Sequence, residues 1–310
     1  MEKGKLSFLD LRQQVALAYG EGRYDAALEV VERHADEFLE KAANITLWRI
    51  CLLSLCARPD ESLSALREAL DRGLWWHESE FRDSDLDAVR DLPEFKRLVG
   101  ISQEKCEQAS ADRKPERLLL VPDKTVDLYP LLIYFHGRNG NMRSDLEQWE
   151  AARRGGWLVL LPQSAQAVFP GGYCWDDPAQ GIADVKFHYE QILREHAIDR
   201  GRVVLAGFSQ GGGMALYAAL SGEIPVRGYI GVGAWWHSVE ELAELAARGN
   251  KPGAYFVTGG QDQSLARIRE IQAMLRLNDI PLDEEFHSDI GHVYPPDFAS
   301  SFEKAIEFIY

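Results

Sequence analysis

The segment Gly207-Phe208-Ser209-Gln210-Gly211-Gly212 sets a serine among glycines. The apolar run Arg202-Val203-Val204-Leu205-Ala206 before it reads as a strand. Met214-Ala215-Leu216-Tyr217-Ala218-Ala219-Leu220 after it reads as a helix. A bare G-x-S-x-G match arises by chance in glycine-containing loops. A strand before and a helix after make it a nucleophile elbow, a sharp turn that strains the serine backbone and lifts its oxygen clear of the sheet. The flanking glycines let strand and helix approach closely. The helix N-terminus then faces the negative charge that develops on attack at a carbonyl.

A serine hydroxyl is a weak nucleophile, so it needs a base, and the base needs an orienting carboxylate. With an elbow of this kind the chain order is serine, then acid, then histidine. The histidines after Ser209 are His237, His287 and His292. His292 lies in Asp289-Ile290-Gly291-His292-Val293-Tyr294-Pro295, between a strand-like run ending at His287 and a final helix from Phe298 to Tyr310. A loop after the last strand is where the base must lie, so His292 is the expected base. His287 reads as an edge-strand residue and His237, after Trp235-Trp236, as a pocket neighbour. For the acid, the strand-like Ala254-Tyr255-Phe256-Val257-Thr258 runs into Gly259-Gly260-Gln261-Asp262. Asp262 is the expected acid. It also reads as a helix cap, but Ser264 is better placed to cap the helix from Leu265 to Leu277 and leaves Asp262 available. Asp289 is the rival acid, near His292 in sequence only.

The apolar run Leu131-Leu132-Ile133-Tyr134-Phe135 leads into His136-Gly137-Arg138-Asn139-Gly140. A glycine turn after an early strand can aim backbone N–H groups at a substrate carbonyl. The expected oxyanion donors are the N–H groups of Arg138 and of Gln210, directly after the nucleophile. His136 reads as a structural hydrogen-bonding residue. No H-E-x-x-H and no Cys/His ligand spacing is present, so no metal site and no cofactor are expected.

The ordered set HGRNG, GFSQGGGMAL, GGQD and GHVYP resembles the α/β-hydrolase superfamily. GFSQGG with LIYFHG is most similar to its phospholipase/carboxylesterase group, which includes acyl-protein thioesterases. The resemblance spans roughly residues 115 to 310 and implies the nucleophile at Ser209, acid at Asp262, base at His292 and oxyanion donors at Arg138 and Gln210. Two departures stand out. The acid loop reads DQSLAR, where the group has Val-Pro soon after the Asp. Arg138 takes a position where the group often has an apolar residue, and so puts a cation near the site mouth.

The alternation of strands and helices after residue 111 implies a mainly parallel sheet with helices on both faces. Candidate strands are Arg117–Val121, Leu131–Phe135, Trp157–Leu161, Val203–Ala206, Tyr229–Val232, Ala254–Thr258 and Asp283–Phe286, with a helix over Ala179–Ala197. The loop Pro162 to Pro178 is rich in glycine, proline and aromatics and is placed to cover a substrate. Trp175, Trp235 and Trp236 are candidate pocket walls, with core packing as the alternative. Cys174 has neither elbow nor base and reads as a buried apolar residue.

Residues 1–110 show helical spacing throughout and are expected as a separate all-α domain, with 111–310 as the catalytic domain. Leu6, Leu9, Val15, Leu17 and Ala18 fit one helix; Tyr24, Ala27, Leu28, Val31 and Phe38 fit the next. GRYDAALEVVERHADEF resembles half of a tetratricopeptide unit. RPDESLSALREALDRG echoes it, with Leu63 following Leu28 at close to the about 34-residue period of such units. A plain helical bundle is the alternative. His77 to Pro93 reads as a capping turn or loop and Glu107 to Pro115 as a linker. Stacked units need neighbours, so the helical domain is a candidate surface for self-association or a protein partner.

Among 310 residues the net charge is −15, which argues against nucleic acid and anionic lipid as partners. Four scattered cysteines do not make a disulfide framework. Met1-Glu2-Lys3-Gly4-Lys5 carries no signal-like pattern, and no apolar run reaches membrane-spanning length. The expected location is cytoplasmic. The expected activity is that of a serine hydrolase acting on a small-molecule carboxylic ester, with thioesters as a second class. The alternatives are a peptidase or dienelactone-type hydrolase, and a helical-repeat interaction protein with a vestigial hydrolase domain.

Overall fold

The computed structural model describes residues 6–110 and 115–310. The chain forms two compact units. One comprises Met1–Asp112 together with Ala167–Pro170, and the other Arg113–Gln166 with Gly171–Tyr310.

The first unit is helical. Helices α1 (Phe8–Gly20), α2 (Tyr24–His34), α3 (Ala42–Leu55) and α4 (Pro59–Asp71) each pack on the next. From α1 to α3 the start advances by 34 residues, and from α2 to α4 by 35. The apolar stripe of α1 is Leu11, Val15 and Ala18, all buried. Leu17, expected in that stripe, is 63% exposed, because at 100° per residue it stands well round the helix from Leu11. The side chain of Leu9 lies outside the described residues. Leu28, Val31 and Leu63 are buried.

The regular spacing then stops. His77 to Pro93 folds into two 3-10 turns, Glu78–Arg82 and Ser84–Leu86, and the short α5 (Asp87–Arg90). Helix α6 (Pro93–Ser110) follows and runs through the first part of the expected linker; residues 111–114 of that linker lie outside the described residues. Ser102 of α6 is fully buried. Its hydroxyl accepts from the Trp76 N–H at 2.7 Å and donates to the Trp76 carbonyl at 2.8 Å. The added segment brings strand β4 (Ala167–Phe169, numbered in chain order), where the Val168 carbonyl accepts from the His77 N–H at 2.7 Å.

The second unit is built on a seven-stranded sheet. Its strands are β1 (Arg117–Leu120), β2 (Tyr129–Phe135), β3 (Leu158–Pro162), β6 (Ile198–Phe208), β7 (Gly228–Val232), β8 (Gly253–Gly259) and β9 (Leu282–His287); the two-residue β5 (Gly172–Tyr173) lies outside it. The order is β1-β3-β2-β6-β7-β8-β9. All neighbours are parallel except β1 against β3. The central strands are near-continuous apolar runs because both faces are covered. Leu131, Ile133 and Phe135 face the core built with α8 (Pro178–Glu195), α9 (Gln210–Ser221), α10 (Val239–Ala246) and α11 (Leu265–Leu277). Leu132 and Tyr134 face α7 (Leu146–Arg154) and α12 (Phe298–Ile309). This is the doubly covered, mainly parallel sheet expected from the alternation; β4 and β5, inside the Pro162–Pro178 loop, are not part of it. Because the strands run in parallel, the turns after β2, β6, β7, β8 and β9 gather at one edge of the sheet, where ligands bind in open α/β sheets.

Replacing Ser102 by alanine strands two buried backbone groups of Trp76. We expect the full chain to lose about 1–3 kcal/mol from the unfolding transition of the helical unit. Urea unfolding followed by tryptophan fluorescence measures it, and an unchanged midpoint refutes the role.

Candidate active site

Ser209 joins β6 to α9. Its backbone has φ +55° and ψ −125°, a conformation that side chains other than glycine avoid. Hydrogen bonds clamp it there. The Ser209 N–H donates to the Val232 carbonyl at 3.0 Å, and the Ser209 carbonyl accepts from Gly213 at 3.2 Å and from Trp235 at 3.0 Å. Close packing does the rest. A Cβ on Gly211 would sit 2.2 Å from the Phe135 carbonyl oxygen and 2.3 Å from that of His136, so α9 can reach β2 only with glycine there. The Ser209 side chain is partly exposed.

Asp262 follows β8 and His292 follows β9. His292 Nδ1 lies 2.8 Å from Asp262 Oδ2, and the Asp262 side chain is 1% exposed. A carboxylate only accepts, so this bond puts the proton on Nδ1 and leaves Nε2 as the basic nitrogen. The two loops are tied by their backbones: the Gly260 N–H donates to the His287 carbonyl at 2.7 Å and the Gln261 N–H to that of Ile290 at 2.9 Å. Gly233, at φ +53°, backs the pair; a Cβ there would stand 3.0 Å from Asp262 Oδ2 and 3.1 Å from His292 Nδ1. The His292 ring packs on Phe208, the residue before Ser209, with centroids 4.8 Å apart, and Tyr294 stacks on Phe208 at 5.0 Å.

Ser264 occupies the cap position of α11, but its side chain makes no capping bond. Asp262 Oδ1 instead accepts from the Ser264 N–H at 2.7 Å. Asp262 is therefore not freed by Ser264 but serves both ends, one oxygen on the helix start and one on His292. Asp289 is exposed. His237 is exposed beside Glu241, and His287 lies on the edge strand near Glu285.

The turn after β2 lies against the elbow: a Cβ on Gly137 would meet the Ser209 Cβ at 3.5 Å. His136 is fully buried. Its Nδ1 is 3.0 Å from the Gly137 carbonyl, and its Nε2 faces the Gln163 amide nitrogen at 3.2 Å and the Ser164 N–H at 3.4 Å. That pattern suits a neutral ring with the proton on Nδ1. Burial pushes its pKa down to about 4, with the Gly137 carbonyl acting weakly in the other direction.

The Pro162–Pro178 loop is stitched to the same turn. The Asn139 N–H donates to the Tyr173 carbonyl at 2.8 Å and the Tyr173 N–H to that of Gly140 at 2.9 Å. Trp175 is fully buried. Its indole donates to the His136 carbonyl at 2.8 Å and its backbone N–H to Gln210 Oε1 at 3.1 Å. Trp175 is thus a core brace rather than a pocket wall. Trp236 is equally buried, packed on Tyr217. Trp235 alone of the three keeps partial exposure. Burial holds the Cys174 thiol up at about 12, with Asp176 adding to the effect, so it stays protonated. Asp176, which the sequence did not single out, binds Arg138 and Gln210 at once.

Residues 8–110 match the family model described as A/B hydrolase-like, N-terminal domain, and residues 177–309 match that of Phospholipase/Carboxylesterase. The chain is an α/β-hydrolase of the carboxylesterase type. Its reaction class is ester hydrolysis. Among solved structures, an uncharacterized protein from Bacillus cereus ATCC 10987 is 24% identical, with 98% of this chain and 99% of that one covered and a TM-score of 0.55. Esterase PE8 is 18% identical over 64% of this chain and 100% of its own, with a TM-score of 0.54. Est1E from Butyrivibrio proteoclasticus is 14% identical over 63% and 94%, with ferulic acid bound, at a TM-score of 0.51. At these identities the likeness is one of fold. No curated protein matches the sequence. The turn carrying His136 and Arg138, and the loop through Asp176, fall between the two family matches of the hydrolase.

The neutral His136 makes the hydrolase sensitive to acid. An unfolded histidine takes a proton near pH 6.5, whereas the buried ring takes one only near 4. Between those values the unfolded chain binds more protons, so stability rises with pH, is complete above about 6.5, and falls as pH drops toward about 4. Urea midpoints at pH 7 and pH 5 should differ more for the wild type than for His136→Gln; equal differences refute this assignment.

Proposed function

We propose that the hydrolase cleaves carboxylic esters, and thioesters by the same route, through Ser209, His292 and Asp262. Ser209 Oγ attacks the carbonyl carbon while His292 Nε2 takes its proton. The backbone N–H groups of Arg138 and Gln210 receive the oxyanion, helped by the N-terminus of α9. The intermediate collapses, His292 returns the proton to the leaving alcohol or thiol, and water releases the acyl group by the same steps. Asp262 keeps the imidazole in the right tautomer. The observation that carries this reading is the positive φ of Ser209, since backbone strain at a non-glycine residue is kept where function requires it. Trp235, half-buried beside the elbow, is the proposed wall of the substrate pocket.

Among the described residues no disulfide joins the four cysteines, which suits a reducing, cytoplasmic setting. Among the described residues no helix is long and apolar enough to cross a membrane. For the helical unit we favour a tetratricopeptide-like scaffold that supports self-association or a protein partner. Its helix-pair spacing and the exposed Leu17 and Leu39 support that reading.

A fluorophosphonate probe should label the wild type at Ser209. Ser209→Ala should lose labelling and lower ester turnover on the order of 10³-fold or more, and His292→Ala should lose nearly as much. Asp262→Asn should cut kcat strongly and leave KM near the wild-type value. Labelling that persists in Ser209→Ala, or Asp289→Asn proving the more damaging acid variant, would overturn the triad.

A further inference from the structure

Arg138 is a cation on the turn that borders the nucleophile, and it does not stand alone there. Its Nη1 donates to Asp176 Oδ1 at 2.6 Å, and the same oxygen accepts from Gln210 Nε2 at 2.7 Å. The Gln210 side chain is held from its other end as well, since its Oε1 accepts the Trp175 N–H at 3.1 Å. Gln210 is 4% exposed and directly follows Ser209. One carboxylate therefore links the turn after β2 to the first residue of α9. Those are the two places assigned to the oxyanion donors.

The same carboxylate decides the charge beside the nucleophile. An arginine there with no acidic partner would be a ready anchor for a carboxylate or phosphate group on a substrate, because its planar fork matches such groups. Held by Asp176 through Nη1, it has its charge balanced by a carboxylate of this chain. Burial works to raise the Asp176 carboxyl, but Arg138 and then Gln210 outweigh it and keep the group below its ordinary range, hence ionised at neutral pH.

We propose that Asp176 is the specificity-determining residue of this site: by holding Arg138 in an ion pair it withholds an anion anchor and restricts the hydrolase to esters that are uncharged around the reacting carbonyl. This rests on the Ser209 reading above. It also assigns Asp176 a positioning role, as the brace between the two oxyanion residues. Releasing Arg138 should turn the site toward acidic esters.

The probes are 4-nitrophenyl butyrate, which is neutral, and the 4-nitrophenyl monoester of succinic acid, which is anionic. In Asp176→Asn the ratio of kcat/KM for the anionic over the neutral ester should rise about tenfold at low salt, mainly through KM. The gain should shrink as ionic strength approaches about 0.5 M, where charges are screened within a few ångströms. Arg138→Gln alone should move the ratio the other way, because Asp176 is then left unbalanced. Adding Arg138→Gln to Asp176→Asn should cancel the gain. Should Asp176→Asn fail to fold, the Arg138→Gln shift and an unchanged ratio in Asp176→Glu carry the test. A ratio that stays at the wild-type value in both single variants, or a gain that survives without Arg138, overturns the proposal. Fluorophosphonate labelling of each protein separates the two levels: an unlabelled wild type sinks the triad, whereas labelled variants with an unmoved ratio sink only the role of Asp176.

Discussion

Ser209 can keep a backbone conformation that a serine avoids only because its turn is clamped from three sides. The β7 carbonyl of Val232 accepts from its N–H, the N–H groups of Gly213 and Trp235 donate to its carbonyl, and the absence of a Cβ at Gly211 lets α9 sit against the end of β2. A strained residue of this kind costs about 1–3 kcal/mol, which the surrounding packing must over-determine. The sheet supplies that packing. Its central strands are apolar on both faces, so they can be covered by helices on each side, and their parallel run gathers the functional turns at one edge.

The proposed base and acid, His292 and Asp262, obey a second constraint, which is precision between loops. Loops are usually the mobile part of a fold. Here the acid loop and the base loop are joined by backbone hydrogen bonds, and the Asp262 carboxylate is spread over a helix start and the imidazole. Capping and orienting are the same act: moving Asp262 off His292 would also disturb the first turn of α11. The aromatic stack of Tyr294 on Phe208, with Phe208 on His292, ties the base loop to the residue before the nucleophile.

Much of this is legible in the sequence because it depends on local pattern. Runs such as Leu131–Phe135 and Ala254–Thr258 announce buried strands, and glycines beside Ser209 announce a turn with close approach. What was hidden depends on contacts between distant segments. Trp175 reads equally as a pocket wall or as core, and only the loop's path, which carries its indole to the His136 carbonyl, decides for core. The double duty of Asp262 needs the register of two loops. Asp176 lies in a run, Trp-Asp-Asp-Pro, whose second acidic residue caps α8, and nothing local marks the first as the partner of a residue 38 positions earlier. Leu17 misled because an apolar residue beside an apolar stripe need not belong to it.

The neighbourhood of the proposed nucleophile is cleared of unbalanced charge in three places. Burial keeps His136 neutral, burial keeps the Cys174 thiol protonated, and an ion pair holds Arg138. Without these restraints His136 could become a cation, Cys174 a thiolate and Arg138 an attractor of anions. With them restrained, the fixed dipoles at the start of α9 and in the β2 turn would meet the oxyanion of the proposed reaction with little nearby net charge to oppose them. Such dipoles need no reorganisation when the charge appears, which is the condition under which they stabilise a transition state most. The buried hydrogen bonds that fix Trp175, Gln210 and His136 hold these segments in place beside Ser209, and in the proposed reaction that fixity is their contribution.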